Sequence, residues 1–422
     1  MTLNRRGFLG ATAATAAALT APAVIGQARP RVVVVGGGAG GGTAARYIAK
    51  DSQGAIDVTL IEPSRAYVTC FFSNLYIGGF RSFDSISHDY GTIAAAGVNV
   101  VHDWATGIDR DARSVALAGG GSLGYDRLVV APGIDFVEGS IPGWDLSAQN
   151  AMPHAWKGGS QTQLLRAQIE AMPEGGTFVM IAPPNPYRCP PGPYERVSMV
   201  AHYLQANNPT AKILIFDPKA KFSKQGLFQE GWETHYPGMI EWLDADFTGP
   251  VEEVRPASME VVVGGEVTKA DVVNAIPGQK AGLIAEKAGL TNDSGFCPIV
   301  PATMASQIDE NVHVLGDATI AGDMPKSGYS ANSQAKVAAM AVRAALTGSA
   351  AFPARFSNTC WSLISTENGV KVGARYEATE EKIAKTDGFI SQAGEDTALR
   401  KQTYEESLGW YAGITADIFG TS

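Results

Sequence analysis

The chain has 422 residues, 45% of them hydrophobic and 18% charged, enough for two or three domains with full cores. Its 48 glycines and 23 prolines follow no period, which excludes collagen-like, repeat and low-complexity architectures, and no apolar run reaches the length of a membrane span. A net charge of −9 argues against nucleic acid as a partner.

Residues 1–28 pair Arg5 and Arg6 with Gly7, Phe8 and Leu9, continue as a weakly hydrophobic Ala/Thr run, and leave through the small-residue stretch Gly26, Gln27, Ala28. This predicts a twin-arginine export signal, cut after Ala28 or, as second choice, after Ala23. The expectation is a periplasmic protein exported already folded around a cofactor. Loss of the two arginines takes the net charge to −11. An amphipathic or core helix is the alternative, but the run lacks polar residues at helical spacing.

RVVVVGGGAGGGTAARYIAK follows, a β-branched strand running into Gly36, Gly38 and Gly41 at GxGxxG spacing and then into a helical pattern. The first glycine allows the tight turn, the second lets a pyrophosphate reach the backbone, and the third lets helix and strand pack closely. A second strand, DVTLIEPS, ends with Glu62 about 20 residues on, where a carboxylate accepts ribose hydroxyls and repels a 2′-phosphate. The nucleotide is therefore FAD or NAD rather than NADP. LGYDRLVVAPG, residues 123–133, reads as the strand closing this first segment.

Far downstream, NVHVLGDATIAGDMPKSGYSANSQAKVAAMAVRAAL, residues 311–346, has a strand closing on Gly316 and Asp317. A loop with Lys326 and Ser327 follows, and then a long Ala-rich helix. It resembles the second FAD motif of the two-dinucleotide-fold flavoproteins, in which the aspartate holds the ribityl chain and the helix N-terminus favours reduced, anionic flavin; Lys326 and Ser327 join the cofactor-binding set. The predicted fold is α/β, with two Rossmann-like dinucleotide-binding domains of the glutathione reductase type and a C-terminal α+β interface domain. Its divisions are an export signal (1–28), a first FAD-binding segment (29–150), a second Rossmann-like domain (151–275), a returning FAD-binding segment (276–346) and a flavin-covering, partner-facing domain (347–422).

Within the second domain, WKGGSQTQLLRAQIEAMPEGGTFVMIAPP reads as helix, turn and central strand, and AKILIFDPKAKF as the next strand. The βα turn between them should be glycine-rich, yet PPNPYRCPPGPYER puts prolines, a tyrosine and an arginine there. Prolines lack N–H groups for a pyrophosphate, so the NAD site is expected to be dead and the loop to be a rigid holder for Cys189. The cysteines are Cys70, Cys189, Cys297 and Cys360. No CxxC or CxxxxC occurs, which argues against a metal site and against an adjacent redox pair. A redox bridge, should one exist, joins distant positions, with Cys189 and Cys360 the natural pair; two inert core thiols, or Cys297 as rival partner, remain open on spacing alone. Cys70, in RAYVTCFFSNLYIGG, lies on a loop able to reach back toward a flavin or among buried aromatics.

Taken together, the twin-arginine start, GGGAGGGTAAR, YVTCFFSNLYIGG, YRCPPGPYER, KSGYSANSQAK and NTCWS resemble the flavoprotein subunit of flavocytochrome c sulfide dehydrogenase over essentially the whole chain. The resemblance implies FAD held covalently by an 8α-methyl thioether to Cys70, a disulfide of Cys189 and Cys360 beside the flavin, and Glu195 as an acid/base group. It also implies a small c-type cytochrome as partner in a heterodimer, carrying the haem, since this chain has no CxxCH. The reaction implied is oxidation of hydrogen sulfide to sulfur or polysulfide, with electrons passing singly to the partner's haem. A sulfide:quinone oxidoreductase-like enzyme is the runner-up, and a non-catalytic flavoprotein with structural cysteines the reading from another class. Trp361, Trp410, Tyr411 and Phe419 supply aromatic groups of the kind enriched at interfaces, against the alternative of plain core.

Overall fold

The computed structural model describes residues 28–420; the expected export signal, apart from Ala28, lies outside them. The first strand, β1 (Arg31–Val35), is nearly all valine and buried from Val32 onward, as expected of a central parallel strand covered on both faces. It leads into α1 (Ala39–Ser52), then β2 (Asp57–Ile61), β3 (Val98–Val101) and β4 (Arg127–Val130). A three-stranded antiparallel ribbon built from Ala105–Asp109, Ser114–Leu117 and Ser122–Gly124 is inserted before β4.

The chain then builds a second sheet from β5 (Thr177–Ile181), α2 (Gly192–Asn207), β6 (Lys212–Asp217), α3 (Gln225–His235), β7 (Ile240–Asp244) and β8 (Val272–Ala275). It returns to the first sheet with β9 (Val312–Val314) and α4 (Gly328–Thr347). The sheet orders are β9-β4-β1-β2-β3 and β7-β6-β5-β8, every pairing parallel. In both, the order reverses beside the first strand, which opens a crevice outside the strand C-termini.

The last unit is an antiparallel sheet, β10 (Arg355–Ser365), β11 (Asn368–Ala378) and β12 (Ile383–Ile390), followed by α5 (Thr397–Phe419). It packs across both nucleotide folds: Ile418 and Phe419 join the core of the first, Ile364 and Val370 that of the second. The interface role expected of the C-terminal aromatics needs correcting here. Tyr411 and Phe419 are each 3% exposed; Tyr411 stacks on Phe72 with ring centroids 4.3 Å apart, and Phe419 lies parallel to His88 at 5.0 Å. Only Trp361 and Trp410 of that set stay half-buried. Among the described residues, no helix is long and apolar enough to cross a membrane.

Candidate active site

A cavity of about 820 Å³ follows the crevice of the first sheet, lined by Gly36, Gly38, Glu62, Cys70, Gly316 and Asp317 among others. That volume lies in the range of cofactor pockets. Gly36 adopts φ +94°, and a Cβ on it would stand 2.4 Å from the Ala131 carbonyl oxygen; one on Gly41 would stand 1.8 Å from that of Gly36. Both glycines therefore close the strand–helix turn. Gly38 caps α1 with its Cβ position facing the Tyr67 ring at 3.2 Å, so the absent side chain leaves a cradle at the positive helix end.

Three features of this cavity fit FAD. Glu62 accepts from the backbone N–H of Gly37 and of Ser64, each at 2.9 Å, and with two oxygens keeps lone pairs for ribose hydroxyls. Asp317 presents a buried carboxylate oxygen, Oδ1, with no hydrogen-bond partner among the described residues, the acceptor a ribityl hydroxyl would satisfy. Gly328 and Ala331, in the first turn of α4, line the same space; Ser327 caps that helix, its Oγ accepting from Ser330 N at 3.0 Å and donating to Asn358 Oδ1 at 2.6 Å. Burial pushes the Asp317 carboxyl up, and Arg188 and Lys326 pull it back.

Lys326 is placed differently from its expected role as a cofactor ligand. Its ammonium donates to the carbonyls of Asp317 and Thr319, at 2.9 and 2.6 Å, and lies 3.8 Å from the Phe296 ring centroid. It therefore ties down the Asp317 turn, while its own carbonyl accepts from Cys189 N at 2.8 Å.

A second, smaller cavity adjoins the first, the two sharing Cys70, Phe71, Arg188 and Gly328. Cys189, Cys360 and Glu195 line it together with Trp156, Tyr329, Trp361 and Trp410. All four cysteines are thiols in this structure, and Cys297 is fully buried in the core of the first domain, outside both cavities. Cys70 follows a short strand, Ala66–Val68, and its carbonyl accepts from the Ser73 hydroxyl at 2.6 Å as the helix Ser73–Ile77 begins. Cys189 takes a left-handed backbone, φ +57°, which costs a non-glycine residue about 1 kcal/mol or more. The proline loop meets that cost: Tyr187 Oη donates to Pro190 O at 2.7 Å, Arg188 N to Gln279 Oε1 at 2.9 Å, and Gly192 N to Cys189 O at 2.7 Å.

Glu195 sits on the first turn of α2, half-buried, with Oε1 accepting from Leu363 N at 3.0 Å and Oε2 from Asn74 Nδ2 at 2.8 Å. Burial raises its carboxyl above the ordinary range, against the pull of these donors. Burial likewise raises both thiols. At Cys189 the neighbouring Cys360 and Glu195 add to the rise; at Cys360 a hydrogen bond from Asn358 and the charge of Lys224 oppose it.

Several residues of this site escape a reading of the sequence. Asn358, Cys360 and Ser362 alternate along β10 and so share a face, a pattern visible in SNTCWS. Arg188, which lines both cavities, sits 3.6 Å from Asp317 Oδ2 and donates to the Trp156 carbonyl. Lys224 and Trp156 carry no signal, because their contacts cross more than a hundred residues of chain or belong to a loop of irregular backbone.

In the second fold, the carboxylate that ends β6 is occupied by the protein's own side chains. Asp217 ends β6, as Glu62 follows β2, yet its carboxylate is fully enclosed: it binds Lys219 Nζ at 2.6 Å, Trp242 Nε1 at 3.0 Å and the Tyr194 hydroxyl. Tyr194 stacks on Phe222 with centroids 3.6 Å apart. No acceptor is left there for a ribose.

Comparison with known proteins adds to this geometry. Residues 30–166 match the pyridine nucleotide-disulphide oxidoreductase family, 162–277 the central region of the sulfide dehydrogenase [flavocytochrome c] flavoprotein chain, and 352–419 the flavin-binding region of flavocytochrome c sulphide dehydrogenase. A sulfide dehydrogenase [flavocytochrome c] flavoprotein chain from Chlorobaculum thiosulfatiphilum is 59% identical over 44 residues, which span 10% of this chain and 90% of that sequence. Among solved structures, the sulfide:quinone oxidoreductase of Aquifex aeolicus superposes with a TM-score of 0.69 at 16% identity, covering 93% of each chain. An NAD-dependent persulfide reductase from A. fulgidus gives 0.61 at 18% identity, over 89% of this chain and 77% of the other. At such identities the two structures speak for the fold.

Proposed function

The chain belongs to the flavoprotein chains of flavocytochrome c sulfide dehydrogenase, a family of flavin-binding oxidoreductases, and from that premise we propose that it oxidises hydrogen sulfide at a redox pair formed by Cys189 and Cys360. The observation that carries the proposal is the convergence of both cysteines and Glu195 on a cavity that shares a wall with the FAD-sized one. Export to the periplasm by the twin-arginine route belongs to the same reading, as does a c-type cytochrome partner, which the family name supports.

FAD, when bound, supplies a two-electron acceptor able to release electrons singly. Glu62, Asp317 and the glycines of the first turn would hold it, with Cys70 as the site of covalent attachment. The remaining chemistry falls to side chains of the second cavity. Arg188 and Arg196 are among the residues lining it, and their buried positive charges favour an entering anion such as hydrosulfide. In the oxidised pair, hydrosulfide attacks one sulfur; a new S–S bond forms, the Cys189–Cys360 bond breaks, and its electron pair stays on the released cysteine as thiolate. The proton of the resulting persulfide goes to Glu195, whose raised pKa suits a group that must accept one. The rigid proline loop keeps Cys189 in place through this cycle.

Anaerobic sulfide titration tests the proposal. Flavin absorbance should bleach in the wild-type protein and persist in Cys189→Ala and Cys360→Ser; bleaching at the wild-type rate in either variant would overturn the redox-pair reading. Supplying c-type cytochrome or a soluble quinone in turn identifies the acceptor.

A further inference from the structure

We propose that Asn74 is a positioning residue for Glu195: its side-chain amide carries the hold of Arg196 to the carboxyl and keeps that group fixed, as a ready proton acceptor, beside the sulfur cavity. The inference rests on the reading of Glu195 as the acid/base group of the proposed reaction. Asn74 is 6% exposed and stands in the short helix Ser73–Ile77, soon after Cys70. Both polar atoms of its side chain are engaged, and each contact goes to α2. Nδ2 donates to Glu195 Oε2 at 2.8 Å and to Gly192 O at 3.1 Å, and Oδ1 accepts from Arg196 Nε at 3.0 Å. The Arg196 contact decides the polarity of this bridge. Arg196 is 1% exposed, and its guanidinium is held by Asn274 Oδ1 at 2.9 Å and by the carbonyls of Ala155 and His154 at 2.7 and 3.3 Å. A guanidinium only donates, so it turns the amide oxygen of Asn74 toward itself and leaves the NH2 group to the carboxylate. A clip between the short helix and α2 would need only the Gly192 carbonyl; the orientation set by Arg196 gives Glu195 a donor.

Glu195 is thereby met on both oxygens. Leu363 N donates to Oε1 at 3.0 Å from β10, and Asn74 Nδ2 to Oε2 from the short helix; among the described residues no other group donates to either. Two N–H donors hold the carboxyl in one plane. Each favours the ionised form, against the burial that favours the protonated one. Each oxygen keeps a further lone pair, and Glu195 lines the cavity together with Cys189 and Cys360, so a proton released at the sulfurs has an acceptor already in place. The charged and titratable groups around it are Lys224 on α3, Arg196 on α2, Cys189 on the proline loop and Cys360 on β10, with Cys70, Arg188 and, on α4, Tyr329 on the cavity wall. Among the described residues, none of their side chains hydrogen-bonds the carboxylate. Arg196 follows Glu195 directly in the chain, yet its guanidinium is linked to the carboxylate only through the Asn74 amide.

The test reads the Glu195 carboxyl itself. In the full-length, flavin-containing protein, infrared difference spectra against the matching Glu195→Gln protein isolate the C=O stretch of the protonated carboxyl between about pH 4 and 9, from the ordinary glutamate value upward. Asn74→Leu, which removes the donor at similar volume, should raise the midpoint of that band by about one pH unit, a roughly tenfold gain in proton affinity. An unmoved midpoint would reduce Asn74 to a structural clip and overturn the proposal. Asn74→Asp keeps the shape and an acceptor for Arg196 but sets a second carboxylate against Glu195, so it should raise the midpoint at least as far. Should Asn74→Leu fail to fold, an unmoved midpoint in Asn74→Asp would overturn the proposal equally. The band needs neither sulfide nor an acceptor. A raised midpoint in a protein whose flavin sulfide does not bleach would therefore refute the proposed function alone, and bleaching with an unmoved midpoint would refute this inference alone.

Discussion

Gly192 offers the sharpest probe of the proline-loop geometry. It opens α2 three residues after Cys189, and a Cβ at this position would lie 2.9 Å from Cys189 Sγ and 2.8 Å from the Trp156 ring. Carbon and sulfur do not approach so closely without one of them moving. Trp156 is 5% exposed and held in the core of the second domain, so the displacement falls on the sulfur. Overpacking of this kind costs about 1–3 kcal/mol, and replacing glycine at the first helical residue returns only a fraction of the roughly 1 kcal/mol that alanine gains in a helix interior. Gly192→Ala should therefore fold with a stability loss of about 1–2 kcal/mol, measured by denaturant unfolding. A misplacement of about 1 Å at a reacting atom lowers rates by about 100-fold, so stopped-flow reduction of the flavin by sulfide should slow to that degree while the flavin spectrum of the resting protein is kept. A variant that folds and reduces at the wild-type rate would show that the Cys189 position in the structure is not the one the chemistry uses.

Cys70→Ser should release all flavin on acid precipitation, and yellow colour remaining with the denatured peptide would place the attachment elsewhere. NADH at micromolar concentration should leave the flavin oxidised in stopped-flow mixing, because Lys219, Trp242 and Tyr194 occupy Asp217; fast reduction would refute the filled-site argument. Lys326, brought down to about 8 chiefly by burial, has an ordinary unfolded value near 10.4. Between these values the unfolded chain binds more protons than the folded one, so stability relative to Lys326→Met should rise with pH from about 8 to 10, at no more than about 1.4 kcal/mol per pH unit. A flat or falling difference in urea midpoints across that window would contradict it.

The two nucleotide folds are legible in the sequence because each depends on local signals: a β-branched run, a glycine turn or its pointed replacement, and a helical period. The short ribbons between Ala105 and Gly124 and between Val251 and Lys269 are not, since strands of three to five residues leave too little period to read. The C-terminal aromatics show how context overrides composition. Aromatic residues near a chain terminus suggest an interface, yet α5 packs against different elements on different sides. Tyr411 meets Phe72, Thr69 and His88, Phe419 meets Tyr67 and His88, and Asp417 faces Tyr47 and Lys336. With partners around its circumference such a helix has no single apolar stripe, and sequence pattern cannot say which rings are enclosed.

The sulfur site illustrates the same division at the level of chemistry. Cys189 announces itself through six prolines and a missing glycine loop, because a rigid holder must be written into consecutive residues. Its electrostatic surroundings cannot be: Lys224 reaches Cys360 across 136 positions, Glu195 reaches the Leu363 amide across 168, and Asn74 reaches Glu195 across 121. What loads a carboxyl or a thiol with an unusual proton affinity is burial shared among elements that meet only after folding. The sequence therefore offers Cys189 and Cys360 as candidate sulfurs, and the folded arrangement of α2, α3 and β10 buries both and raises their thiols.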